Sequence, residues 1–358
     1  MIDFRYHIVS LISVFLALAV GIALGAGPLK ETIGDTLTGQ VEGLRAEKED
    51  LRAQLDETGG DLAAADAFVS AAGERLLTGT LTDRRVALVL IDDVPEDQVV
   101  ALTERLAQAG ASVSATATVN DTWTDPALAT YRRTLAGTLV SYLDRPPAAD
   151  AGTEAELAEA LVAGLVGADA AAPNALSENA SSLLDVLAEG DQALVTFAED
   201  VTRPADAVVV VSGTAEVATG VSATVGATPD GFDPQLALVA AADRLAAGVV
   251  VTGASRSGDD LVAAVRGDDA LADVVTTVVD SATVTGQVTV PLALAADIGG
   301  RPGNYGYGDD RAALPPAVQL PPVDRNPTVP EAGAGAGDVP DATQGDTPAG
   351  EVQPGGDG

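Results

Sequence analysis

The chain opens on an unbroken apolar run. Residues 8–26, from Ile8 to Ala26, read IVSLISVFLALAVGIALGA, nineteen positions without a charge. At 1.5 Å rise per residue a helix of that length crosses roughly the 30 Å of a hydrocarbon core. Phe4 and Tyr6 stand where aromatic side chains line a membrane interface, and Pro28 stops the pattern at the far end. Residues 1–27 are therefore expected to form a transmembrane helix with a short flank, held in membrane lipid. A cleaved signal peptide competes with this reading, because Ala23, Gly25 and Ala26 offer the small residues a signal peptidase needs; a buried core helix is the third reading. The anchor is favoured because the run exceeds the usual signal core, Arg5 is the one basic side chain ahead of it, and a helical pattern resumes almost at once. Arg5 and the α-amino group face Lys30, Glu31 and Asp35 across the span, which places the N-terminus in the cytoplasm and the rest of the chain outside it.

After Pro28 the spacing changes to 4-3. Leu37, Val41, Leu44, Lys48, Leu51, Leu55, Thr58, Leu62, Ala65, Val69, Ala72 and Leu76 form one seam of a helix, with charged residues on the other faces. Residues 28–78 thus predict a coiled coil that joins a second copy or a partner protein; the competing reading is a lone amphipathic helix folded onto the next domain. Lys48, at an a position, weakens the seam but favours a defined register and a low oligomer number. Gly59 and Gly60 are expected to break or bend the helix.

From residue 84 the period switches to that of an α/β domain. Core-like strands are expected at residues 86–91, 112–119, 193–197, 207–212, 248–252 and 274–279, with helical runs at 96–109 and 234–247. Strands alternating with helices imply a mainly parallel, Rossmann-like sheet covered by helices, over residues 84–314. Between about 125 and 190 the pattern is mostly helical, punctuated by Pro146, Pro147 and Pro173, which suggests a helical insertion on one edge of the sheet. From residue 315 to 358 prolines, glycines and acidic residues dominate; such a tail has too little apolar surface to offset its ordering entropy and is expected to be disordered.

Composition narrows the chemistry. The formal net charge is −34, from 53 acidic and 19 basic side chains, so the surface repels phosphate backbones and nucleic acid is excluded as a partner. There is no cysteine, His7 is the only histidine and Met1 the only methionine. Thiol and His-dependent catalysis, zinc fingers and iron–sulfur clusters are thereby excluded from the body of the chain.

In a sheet of this kind ligands gather beyond the carboxyl ends of the strands. The first strand runs into Asp92, Asp93, Val94 and Pro95, which is neither a GxGxxG fingerprint nor a P-loop. The later strands end in Ser212, Gly213 and Thr214, in Thr252, Gly253 and Ala254, and in Asp280 and Ser281. Turn chemistry accounts for them, with a small polar pocket as the alternative. A paired-carboxylate hydrolase would draw on Asp92, Asp93 and Asp280. The doublets Asp259 with Asp260, Asp268 with Asp269 and Asp309 with Asp310 lack the spacing of an EF-hand and read as helix-terminal and loop charges. No catalytic, cofactor-binding or metal-binding residue is assigned, no cofactor is expected, and the protein is expected not to be an enzyme.

The opening MIDFRYHIVSLISVFLALAVGIALGAGPL, the heptads behind it, and the NYGYG run at Asn304 to Gly308 after a last helix resemble the mycobacterial and actinobacterial copper transport protein family. The resemblance covers the chain to about Gly308 and implies an outer-membrane or cell-envelope location and a role in copper efflux or homeostasis. The residues themselves supply little copper chemistry, since Cu(I) prefers Cys and Met and Cu(II) prefers imidazole. Nor does the chain carry the alternating strands of an outer-membrane barrel. Two functions follow: a channel or accessory component of copper transport, and a coiled-coil scaffold or regulator that binds a partner in envelope assembly or cell separation.

Overall fold

The computed structural model describes residues 4–26, 28–148, 150–213, 231–253, 260–306 and 312–327, with the side chains of residues 26–38 outside the description. Two helices lead the chain, α1 (Phe4–Ala26) and α2 (Pro28–Leu77). The body then alternates β1 (Arg85–Ile91), α3 (Glu96–Gln108) and β2 (Ser112–Val119), followed by α4 (Ala129–Leu139), α5 (Thr153–Val166) and α6 (Glu178–Ala188). It closes with β3 (Val195–Phe197), β4 (Ala207–Ser212), α7 (Asp233–Leu245), β5 (Val249–Gly253), α8 (Leu261–Gly267), β6 (Thr276–Val279), α9 (Val284–Ile298) and β7 (Asn304–Tyr305).

The strands make a seven-stranded sheet in the order β3-β2-β1-β4-β5-β6-β7, parallel throughout except for the short edge pair of β2 and β3. Every residue of β1, β4, β5 and β6 is buried. That is why these strands read as continuous runs of Val, Leu and Ala: a parallel sheet covered on both faces needs apolar side chains in both directions. Val89, Val208, Val210 and Val251 point into a core shared with α5 and α7. Val86, Leu88, Val209 and Val250 point into a second core, shared with α3 and α9. Each valine so covered contributes about 1.5–3 kcal/mol relative to exposure.

Local signals set the element ends. Helix α3 carries Glu96 and Asp97 in its first turn and Arg105 in its last, matching the helix dipole. It stops at Gly110 (φ 89°), where the amides of Gly110 and Ala111 reach back to the carbonyls of Ala107 and Leu106. The hydroxyl of Thr283 caps α9 by accepting from the amide of Gly286.

Four expectations are corrected by the structure, and one element is added to them. Gly59 and Gly60 do not interrupt α2, which runs as one 50-residue helix; each lacks neighbours within 4 Å, so the helical hydrogen bonds around them hold against a modest propensity cost. The lower end of the seam is also rotated. Leu76 is exposed, whereas Leu77, one position on, is fully buried and Gly73 abuts Val288 of α9. The helical insertion covers a face of the sheet instead of an edge, because Ala158, Ala160, Leu161, Val162 and Leu165 are buried on several sides of α5, which therefore needs cover all round. The run at Asn304 contributes an unforeseen edge strand beside β6, with Tyr305 buried. Finally, residues 315–327, assigned to the tail, lie along the body as extended chain. Leu320 joins the second core and Arg325 forms an ion pair with Asp206, so this part of the tail has the apolar and ionic partners that composition alone did not reveal. Residues 328–358, Thr214, Ala254, Asp259, Tyr307, Gly308, Asp309 and Asp310 fall outside the described residues.

Candidate functional site

Two regions carry the features singled out in the sequence: the leading helices and the carboxyl edge of the sheet. Within α1, residues 4–25 form the one helix among the described residues that is long and apolar enough to cross a membrane, and the body covers none of it. Its side chains, Phe15 and Leu16 among them, are exposed. In α2, Val41, Leu44, Leu51, Leu55 and Leu62 are likewise exposed, and the body begins to cover the helix only near Val69.

At the carboxyl edge, Asp92 leaves β1 in the left-handed region (φ 61°). Its side chain is exposed, and partial desolvation by the surrounding loops, with the nearby charge of Asp121, raises the carboxyl above the usual range. Gly213 follows β4 at the point where the sheet order reverses; its amide donates to the carbonyl of Ile91 at 2.8 Å, and a Cβ there would stand 2.2 Å from the carbonyl oxygen of Asp93. Only glycine lets the two chains pass so closely. Past β6, Asp280 also adopts a left-handed backbone (φ 62°) and is buried beside the fully buried Ser281. Gln98 of α3 donates to the hydroxyl of Ser281 at 2.8 Å, which ties this edge across the β1–β6 half of the sheet. Ser212 and Thr252 are buried at the ends of β4 and β5; the Thr252 hydroxyl finds no partner among the described residues.

The candidate carboxylates are not brought together. Asp92 and Asp280 leave strands separated by β4 and β5, roughly 14 Å of sheet at the usual strand spacing. Paired-carboxylate hydrolysis works with about 5–9.5 Å between carboxyl groups. Asp260 caps α8 by accepting from the amide of Ala263 at 2.9 Å, and Asp268 accepts from the amides of Ala270 and Leu271. These are backbone-capping roles. Among the described residues no three His, Cys, Asp or Glu side chains group closely enough to hold a metal ion.

Several polar residues that organise the body carried no sequence signal strong enough to single them out. Asp206 accepts from the Arg85 amide at 2.7 Å and from both terminal nitrogens of Arg325, while Arg325 also reaches the carbonyl of Asp83. Arg84 donates to the carbonyl of Pro321. Arg325 is the one basic residue after Arg311, and that isolation was the available clue. Asp297 at the end of α9 takes hydrogen bonds from the Val249 amide and the Thr276 hydroxyl. Burial nonetheless holds its carboxyl above the usual range. Glu159 of α5 is buried against Arg244 of α7.

Taken together, these elements define an α/β protein with a mostly parallel, helix-covered sheet, led by an apolar helix of membrane-crossing length. The family described as "Copper transport outer membrane protein, MctB" matches residues 1–316. The chain is 30% identical over 323 residues to the "Copper transporter MctB" of Mycobacterium tuberculosis strain H37Rv, covering 86% of this chain and 97% of that protein. The protein of the same name from Mycobacterium leprae is 27% identical over 338 residues, 88% of this chain and 99% of the relative. The chain belongs to the MctB copper transport family.

Proposed function

We propose that this protein is a non-enzymatic, membrane-anchored accessory component of copper efflux in the cell envelope. In this reading α1 lies in the bilayer and α2 carries the α/β body on the extracytoplasmic side. The copper role comes from the family and from the names of the relatives. The observation that favours an accessory role over a channel is the donor set. With no Cys, one His and one Met, both at the N-terminus, the body has nothing soft or imidazole-like with which to pass copper along. An open, helix-covered sheet is also the wrong wall for a pore, and a single apolar helix lines one only as part of an assembly. The family description names an outer-membrane protein, which supports a cell-envelope location for the chain.

A strain lacking the gene is expected to accumulate copper and to lose copper tolerance, with both restored by the full chain but not by a form lacking residues 1–27. Unchanged copper content in the deletion strain would remove the copper role. Copper-permeable conductance of the purified protein in a planar bilayer would replace the accessory reading with a channel.

A second reading has its own observation. The bare seam of α2 suits a scaffold or regulator that docks a partner protein in envelope assembly or cell separation. The sheet order, with β1 between β2 and β4, is the ground on which a Rossmann-like classification is proposed for the body.

A further inference from the structure

Helix α2 divides into two halves that use one face differently. From about Asp66 downward that face belongs to the body: Val69 packs on the second core, Gly73 abuts Val288, and Leu77 is fully buried. Above it the same face continues without cover. Val41, Leu44, Leu51, Leu55 and Leu62 are between 44% and 71% exposed, although their 4-3 spacing is that of a buried seam. The bare stretch is 22 residues long by numbering, roughly 33 Å or three heptads.

We infer that the stretch from Val41 to Leu62 is covered by the same stretch of a second copy of this chain, in a parallel, in-register, two-stranded coiled coil. The inference rests on the anchored reading above, because two copies held by α1 in one membrane can approach only side by side and pointing the same way. Charge supports the same geometry independently. With Lys48 at an a position and Leu51 at the following d position, Glu47 is the g residue and Arg52 the e residue of the next heptad. In a parallel pair Glu47 of each copy faces Arg52 of the other, and Gln40 faces Arg45. An antiparallel pair would instead oppose e with e and g with g, bringing arginines towards arginines and Glu47 towards Asp61. Lys48 at one core layer disfavours larger bundles.

Helix α1 adds a second observation. Ala17, Gly21 and Gly25 recur every four residues, and a Cβ at either glycine would meet nothing within 4 Å. A stripe of small residues at that spacing lets two transmembrane helices approach closely. The dimer seam then ends near Leu62, where each copy's own body takes over the face.

The absence of native cysteine makes the test direct. In the full-length protein in its own membrane, Leu44→Cys and Leu51→Cys place single thiols on the seam, and Ala53→Cys places one on the outer face. Mild oxidation is expected to give covalent dimers at Leu44→Cys and Leu51→Cys in at least roughly tenfold excess over Ala53→Cys, because seam positions face their own counterparts and outer-face positions do not. In the Leu51→Cys background, Glu47→Arg or Arg52→Glu is expected to cut cross-linking about fivefold, and the two together to restore it. Equal or absent cross-linking at the seam positions, in protein that stays with carbonate-washed membranes, would overturn the dimer. Failure of the double charge variant to recover would overturn the parallel register. Protein that washes off the membrane would instead sink the anchored reading, so the two failures are distinguishable.

Discussion

At the β1–β4 crossing the backbone of Asp93 passes so near Gly213 that a Cβ would stand 2.2 Å from its carbonyl oxygen. Backbone cannot retreat as a flexible side chain can, so Gly213→Ala is expected to cost about 2–3 kcal/mol, read from urea unfolding of the purified protein. Asp297 makes a subtler prediction. Burial raises its carboxyl above the unfolded value, so the folded state binds a proton more readily than the unfolded chain across that window. Stability from this group therefore falls as pH rises through the raised pKa and is greatest below the unfolded value. Melting temperature is expected to rise as pH is lowered through the raised pKa of Asp297 towards the ordinary carboxylate value, and Asp297→Asn, which keeps an acceptor for the Val249 amide, is expected to flatten that slope. Asp297→Ala leaves that amide without its partner and is expected to destabilise by about 1–3 kcal/mol.

Among the elements, α2 and the chain segment 315–327 each behave differently from their composition. Gly59 and Gly60 sit in open helix, so Gly59→Ala and Gly60→Ala are each expected to stabilise α2 by about 0.5–1 kcal/mol, visible as slower amide exchange between residues 55 and 65. The segment 315–327 is fastened at four points: Val318 lies against Gly299, Leu320 packs against the second core, Arg84 donates to the carbonyl of Pro321, and Arg325 bridges Asp206 and the carbonyl of Asp83. Arg325→Ala leaves Asp206 with the Arg85 amide alone and is expected to lower body stability by about 1–3 kcal/mol, measured by thermal unfolding. Helix α5 was legible as a helix but not in its placement. Its apolar surface runs nearly all round, so periodicity could not say which neighbour it would meet; packing against α4, α6 and α7, in the core shared with the sheet, supplied the answer.

For the whole molecule the charge of −34 is carried by the helices, loops and C-terminal residues, since the strands hold almost none of it. Acidic side chains at the sheet's carboxyl edge, Asp92, Asp93 and Asp280 among them, are divided between strands, so no single cluster emerges among the described residues. This explains why the carboxylates that looked like candidate chemistry in one dimension separate in three. Acid residues are common near strand and helix ends in any α/β chain, and sequence proximity does not tell which strand lies beside which. The family assignment reaches the whole assembly of leading helices and body, since the matched region runs from residue 1 to 316.

The sequence by itself determined the apolar leading helix, a heptad-patterned helix behind it though not its passage through Gly59 and Gly60, and an α/β body with a mostly parallel sheet. These are written in local periodicity, which the backbone must obey whatever the chain meets later. It also determined the donor set, because a side chain that is absent cannot be recruited by folding. Tertiary structure alone decided the rest. It chose which face of α2 the body covers and where that cover ends, which strands part Asp92 from Asp280, and that Arg325 holds residues 315–327 on the body. Those outcomes depend on contacts between residues tens to hundreds of positions apart, and no local pattern encodes them.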